Sequence, residues 1–172
     1  MRYVELRRHT DNDGDRLSEQ GIADAEALGR DALHPPYLLF VSSGAARATE
    51  MLVILRMAAH QTEVPISVEN GLRSAVEDRW REASKASDGG DLEAMSTVDP
   101  SLVEQETTVL GRALRGVLGQ LPEGGRALVV GHSPTNEAAV LGLTGQLVPP
   151  LGKSEGVLVT EDEGGFAVVA LD

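Results

Sequence analysis

Apolar residues recur along this chain in two rhythms. Short apolar runs at residues 3–6, 37–41 and 127–130 read as strands, with a further short one near 65–68. Between them the spacing becomes helical. Ile22, Ala25 and Leu28 form one stripe that ends near Gly29. Ser18 is a good N-cap for that helix, with Leu17 and Ile22 in the hydrophobic-staple positions around it. Ala48, Met51, Leu52, Leu55 and Ala58 make the inner face of a second helix. A third covers 102–121, with Val109, Leu110, Leu114, Val117 and Leu118 expected to face inward. Ser133 is expected to cap a further helix with Pro134 in its first position, where a missing N–H costs nothing. The end of the chain reads as a hairpin, 156–160 and 166–171, turning at Gly164-Gly165. Strands alternating with helices predict an α/β fold, a three-layer α/β/α sandwich on a mostly parallel sheet. No internal repeat is visible.

The polar segments punctuate this pattern. Asp11-Asn12-Asp13-Gly14-Asp15 is a loop by composition, Pro35-Pro36 breaks the chain before a strand, and Gly124-Gly125 turns into one. Residues 70–100 have the weakest pattern, and 84–90 are polar. They read as a lid or insertion within a single domain spanning residues 1–172, a length that suits one full core.

Chemistry collects where the strands end. Leu6-Arg7-Arg8-His9-Thr10, Val41-Ser42-Ser43-Gly44-Ala45-Ala46-Arg47-Ala48 and Leu128-Val129-Val130-Gly131-His132-Ser133-Pro134 each begin apolar and run on to a basic residue. In an open α/β sheet, ligands bind beyond the carboxyl ends of the strands. Parallel neighbours would bring Arg8, His9, Arg47 and His132 to one point. Two arginines and two histidines there make a phosphoryl pocket, and one histidine can serve as nucleophile.

Composition narrows the setting. A 41% hydrophobic content argues for a globular chain. No apolar run is long enough to span a bilayer, and the N-terminus enters a strand with no signal-peptide pattern. The absence of cysteine excludes disulfides, thiolate catalysis and cysteine-based zinc sites. A cytoplasmic location is the expectation. A net charge of −12 argues against nucleic-acid or membrane partners and makes the phosphoryl pocket a local positive island.

The three strand ends together resemble the histidine phosphatase superfamily, also called phosphoglycerate-mutase-like. Leu6-Arg7-Arg8-His9-Thr10 followed by Leu17-Ser18-Glu19-Gln20-Gly21 is similar to its opening element. Ser42-Ser43-Gly44-Ala45-Ala46-Arg47-Ala48 resembles its Ser-Ser-x-x-x-Arg-Ala segment, and Val130-Gly131-His132 its apolar strand ending Gly-His. The resemblance covers nearly the whole chain. It implies a phosphohydrolase without metal or cofactor, acting through a phosphohistidine on His9. Arg8, Arg47 and His132 would hold the phosphoryl group, with Thr10 and Asn12 also near the substrate. Arg8 beside His9 should help keep the ring neutral, and His132 should donate best when protonated. Thr10 stands where the family usually has Gly.

The proton donor is less regular. The family often carries Leu-x-Glu in mid-chain, and Leu72-Arg73-Ser74 puts Ser74 in the place of that Glu. Glu77, then Asp78, follow within a helical turn and are the candidate acids. A solvated helix face beside Arg79 and Arg81 is the other reading of that pair. Gly131-His132-Ser133-Pro134-Thr135-Asn136-Glu137 also resembles the Gly-His-Asn-Pro-x-x-Glu signature of the small phosphohistidine-phosphatase branch. The expected partner is therefore a small phosphomonoester or a protein phosphohistidine. A catalytically weak phosphate- or phosphopeptide-binding module is the alternative.

Other motifs fail on context. Asp11 follows polar residues where a haloacid-dehalogenase nucleophile follows a buried strand. The twelfth position of a calcium loop starting at Asp11 is Ile22. No His follows Ser133 to complete a serine triad, and Gly152-Lys153-Ser154 lacks the upstream Gly of a P-loop.

Overall fold

The structure is a computed structural model and describes residues 1–171. Along the chain the elements are β1 (Arg2–Arg8), β2 (Asn12–Asp13), β3 (Arg16–Leu17), α1 (Glu19–Asp31), β4 (Leu39–Ser42), α2 (Ala46–Ala58) and β5 (Ile66–Val68). Then come α3 (Glu77–Ala86), α4 (Leu92–Val98), α5 (Pro100–Gly119), β6 (Arg126–Gly131), α6 (Thr135–Thr144), β7 (Gly156–Asp162) and β8 (Gly165–Leu171).

Six strands form one sheet in the order β5-β4-β6-β1-β7-β8. β5, β4, β6 and β1 run parallel, and the terminal β7–β8 hairpin adds on antiparallel to β1. Side-chain alternation divides the core in two. Val4 and Leu6 of β1, with Ala127 and Val129 of β6, pack against α3–α6. Leu128 and Val130, with Phe40 of β4, pack against α1 and α2. The chain is thus a three-layer α/β/α sandwich. Among the described residues no helix is long and apolar enough to cross a membrane.

Helix starts follow local chemistry. The Ser18 hydroxyl accepts from the Gly21 amide at 3.0 Å and caps α1. Asp99 caps α5 by accepting from the Leu102 amide at 3.2 Å, with Pro100 in the first turn.

Four expectations need amending. Ile22 is 38% exposed, because α1 buries Gly21, Ala25 and Gly29 instead. A side chain at Gly21 would meet the Asp11 carbonyl at 1.9 Å, so the helix turns its glycine edge to the loop. Val109 is 50% exposed, since it falls outside the arc shared by Leu110, Leu114, Val117 and Leu118. Ser133 does not cap α6; its hydroxyl donates to the Glu137 carboxylate and the helix begins at Thr135. The Asp-rich loop is partly a two-strand ribbon, β2 paired with β3.

Residues 70–100 are largely helical. After a 3-10 turn at Asn70–Leu72, α3 and α4 bury Trp80, Ala83, Leu92 and Met95 against the α5 side of the core. The segment builds one wall of the cleft above the sheet.

Candidate active site

Strand register brings the site together. Arg8 of β1 lies opposite Gly131 of β6, and Val130 of β6 lies opposite Ser42 of β4. One residue further on, the His9 amide donates to the Gly131 carbonyl at 3.1 Å and the Ser43 amide to the Val130 carbonyl at 3.2 Å. His9, Ser43 and His132 therefore leave the sheet at nearly one level. The two imidazoles meet edge to face, with centroids 5.3 Å apart.

Arg47, in the first turn of α2, reaches both rings. Its Nε lies 3.3 Å from His9 Nε2 and one terminal nitrogen 3.2 Å from His132 Nδ1. A guanidinium only donates, so each of those ring nitrogens presents a lone pair. The rest of each ring follows. His9 Nδ1 carries the proton and donates to the Thr10 carbonyl at 2.8 Å. His132 Nε2 carries the proton and donates to the Ser43 hydroxyl at 2.7 Å. His9 Nε2 is thus a lone pair held beside a cation, the state a nucleophile at phosphorus requires.

Both rings are strongly biased towards neutrality. Burial, then the charges of Arg47, Arg8 and Lys153, lower the His9 pKa to about 4, against a raising contribution from the Thr10 carbonyl. Burial, Arg47, His9 and Arg73 take His132 to about 3. The expectation that His132 works as an imidazolium is thus not met by its protein neighbours alone. An arriving phosphoryl dianion would supply the missing negative charge.

Asn136 positions His132. Its Oδ1 accepts from the His132 backbone amide at 3.2 Å, and its backbone amide donates to the His132 carbonyl at 2.7 Å. The Asp15 carboxylate accepts from Arg47 at 2.8 Å. Burial opposes its ionisation, but the Ala46 and Arg47 amides and the guanidinium hold its pKa below the usual carboxylate range. Asp11 accepts from Ser18 at 2.6 Å and from Lys153 at 2.7 Å, which ties the start of the ribbon to the turn before β7.

Arg8 donates to the Leu151 carbonyl at 2.8 Å, and its charge is felt at both His9 and the buried Glu137. Burial raises the Glu137 pKa despite the Ser133 hydrogen bond. Thr10 is fully buried and its hydroxyl donates to the Gly21 carbonyl at 2.8 Å. Asn12 donates to the Gly14 carbonyl at 2.8 Å within the ribbon. Thr10 is thus bonded to α1 and Asn12 to its own turn, rather than to the two rings.

Above the rings is a cavity of about 590 Å³. Arg47, His132 and Ser133 form its floor; Ser74, Glu77, Trp80, Arg81 and Lys85 form its α3 wall. Glu77 therefore shares a chamber with His132 and Arg47, but its carboxylate accepts from Arg73 at 3.0 Å and is 37% exposed. Ser74, at the foot of the same wall, donates to Glu106 of α5. Glu106 also accepts from Trp80 Nε1 at 3.1 Å. Among the described residues, no group of three His, Asp or Glu side chains is arranged to hold a metal ion.

Several partners escaped the sequence reading. Asn136 lies one helical turn after His132, a spacing that could have flagged it. Asp15 and Glu106 carry no local signal, because their partners lie 32 residues away.

The sequence matches no protein-family model, and comparison with curated proteins finds no match. Solved structures do match. Phosphoglycerate mutase from Bacillus anthracis aligns over 98% of this chain and 92% of its own, at TM-score 0.74 and 16% identity. Phosphoserine phosphatase from Entamoeba histolytica aligns over 100% and 98%, at TM-score 0.72 and 14% identity. A protein from Agrobacterium tumefaciens, assigned as a phosphohistidine phosphatase, aligns over 99% and 97%, at TM-score 0.62 and 19% identity. The chain has the phosphoglycerate-mutase-like fold, as its three strand-end elements led one to expect.

Proposed function

We propose that this protein is a phosphatase that needs no metal and works through a phosphohistidine on His9, with a small phosphomonoester as substrate. The observation that carries this reading is the His9 tautomer: Nδ1–H is given to the Thr10 carbonyl, and the Nε2 lone pair faces the Arg47 guanidinium. Similarity of fold to phosphatases is consistent with it.

In the proposed reaction, Nε2 attacks phosphorus in line as the ester oxygen departs with a proton. Arg47 and Arg8 neutralise the equatorial oxygens electrostatically. The dianion favours protonation of His132 at Nδ1, turning that nitrogen from acceptor to donor. Water then attacks the phosphohistidine, the N–P bond breaks, and inorganic phosphate leaves. The cavity walled by α3 suits a small molecule held within it, which favours a phosphomonoester over a histidine displayed on a protein.

Hydrolysis of para-nitrophenyl phosphate tests the proposal, because its leaving group needs little protonation. The expected result is activity that survives EDTA and is abolished in His9→Ala. Activity that requires magnesium and survives His9→Ala would overturn it, and binding of phosphate without turnover would favour the binding-module alternative.

A further inference from the structure

We propose that Ser74 and Glu106 form the proton relay of this site, with Ser74 meeting the leaving oxygen and Glu106 acting through it. The inference rests on the phosphatase reading. An alkyl phosphate releases a strongly basic oxygen, which must be protonated as the P–O bond breaks. Ser74 occupies the sequence place where the family resemblance expects a carboxylate, and a serine hydroxyl by itself is too weak an acid for this task.

The structure supplies the missing carboxylate from another helix. Ser74 lines the chamber together with Arg47 and His132. Its hydroxyl donates to Glu106 Oε1 and accepts from the Val76 amide at 3.0 Å. Glu106 is half-buried and is held from a second side by Trp80 Nε1 at 3.1 Å. The acid group is thus displaced by the length of one hydroxyl and enters from α5 instead of the loop before α3. Glu77, the nearer candidate in sequence, is committed to Arg73.

A hydroxyl has one donor proton and two acceptor lone pairs, so it can pass a proton without net change. In the first half-reaction the His9 Nε2–P bond forms and the P–O bond breaks. With Glu106 in its acid form, loaded by a proton from solvent, the leaving oxygen takes the Ser74 proton and the Glu106 carboxyl proton moves to Ser74 Oγ, reversing the Ser74-to-Glu106 hydrogen bond of the resting structure. In the second half-reaction water forms the new P–O bond and the N–P bond breaks. The water proton passes to Ser74 and the Ser74 proton to Glu106, which restores the starting state.

The test compares para-nitrophenyl phosphate with phenyl phosphate, whose leaving oxygen is more basic, in wild type, Ser74→Ala and Glu106→Gln. Glutamine can still accept from Trp80 and Ser74, so the α3–α5 contact survives while the titrating proton is lost. The expected result is a loss of about 10²-fold in kcat/KM on phenyl phosphate in both variants, with a much smaller loss in kcat/KM on para-nitrophenyl phosphate, because kcat/KM reports the first half-reaction, where the leaving group departs, and not the water step common to both substrates. The double variant should lose no more than either single one. Equal losses on both substrates, with the thermal transition lowered, would mean a packing contact only and overturn the relay. So would an unchanged rate on phenyl phosphate, or a loss in Glu106→Gln that Ser74→Ala does not share. Wild type without His9-dependent activity on para-nitrophenyl phosphate would instead sink the phosphatase reading, and the relay with it.

Discussion

At the scale of single residues, the site is a problem in placing lone pairs and charges. Arg47 touches both imidazoles and sets both tautomers, since it can only donate. Its charge adds to burial in keeping His9 neutral, so the nucleophile is available far below the usual imidazole range. The acid limb of kcat/KM on para-nitrophenyl phosphate should therefore fall near pH 4 rather than near the unperturbed value of about 6.5. A limb close to 6.5 that shifts in no His9-neighbour variant would contradict this account. Asp15 holds Arg47 from the ribbon side. Asp15→Ala should leave Arg47 less well aimed at the phosphoryl group and raise KM more than it lowers kcat, which steady-state kinetics would read directly. The identities of Arg8, Arg47, His9 and His132 were legible in the sequence, but which ring nitrogen of each histidine carries the proton was not. That depends on which nitrogen faces which donor.

At the scale of elements, close approach of backbones decides much of the geometry. α5 and α6 touch where Gly142 meets Thr107: a Cβ at Gly142 would lie 1.8 Å from the Thr107 carbonyl. Gly142→Ala should overpack this contact and destabilise the protein by about 1–3 kcal/mol, seen as a lower midpoint in urea unfolding. An unchanged midpoint would show that the helices separate freely. The parallel strands and the long helix were legible because their hydrophobic periods are strong. The wall formed by α3 was not. Its inward positions are Trp80 and Ala83, too few to generate a stripe, and its other inward-facing residues line a cavity and are polar for that reason. Ile22 and Val109 show the reverse error, apolar residues at helical spacing that the packing leaves outside.

At the scale of the whole molecule, the chain carries −12 net charge and gathers positive groups at one edge of its sheet. Two neutral histidines are buried at that edge, and this couples the site to global stability. In the unfolded chain both rings titrate near 6.5, whereas in the fold they are lowered to about 4 and about 3. Below pH 6.5 the unfolded state binds more protons, so stability falls as pH falls from about 6.5 towards those folded values. Thermal unfolding of wild type and His132→Asn over this window should show the wild type losing more stability on acidification. Parallel curves would mean that His132 is not buried as a neutral ring. Inorganic phosphate, which offsets the positive field, should reduce the wild-type loss if it binds there.

Sequence alone determined the layers and the identity of the groups at the strand ends. Hydrophobic period is a local property, and parallel neighbouring strands end on one side of the sheet, which is where His9, Arg47 and His132 meet, with Arg8 one residue before His9 and bonded to the Leu151 carbonyl. Tertiary structure decided everything that depends on contacts between distant segments. It buried Glu5 beneath the sheet, where the Tyr37 hydroxyl at 2.9 Å and Arg126 at 3.1 Å donate to it. It paired Asp15 with Arg47 and joined Glu106 to Ser74 across 32 residues of chain. Such polar pairs have no period and no fixed spacing. Their partners are chosen by which side chains the packed helices and strands bring within hydrogen-bond reach, and that is settled only when the whole core closes.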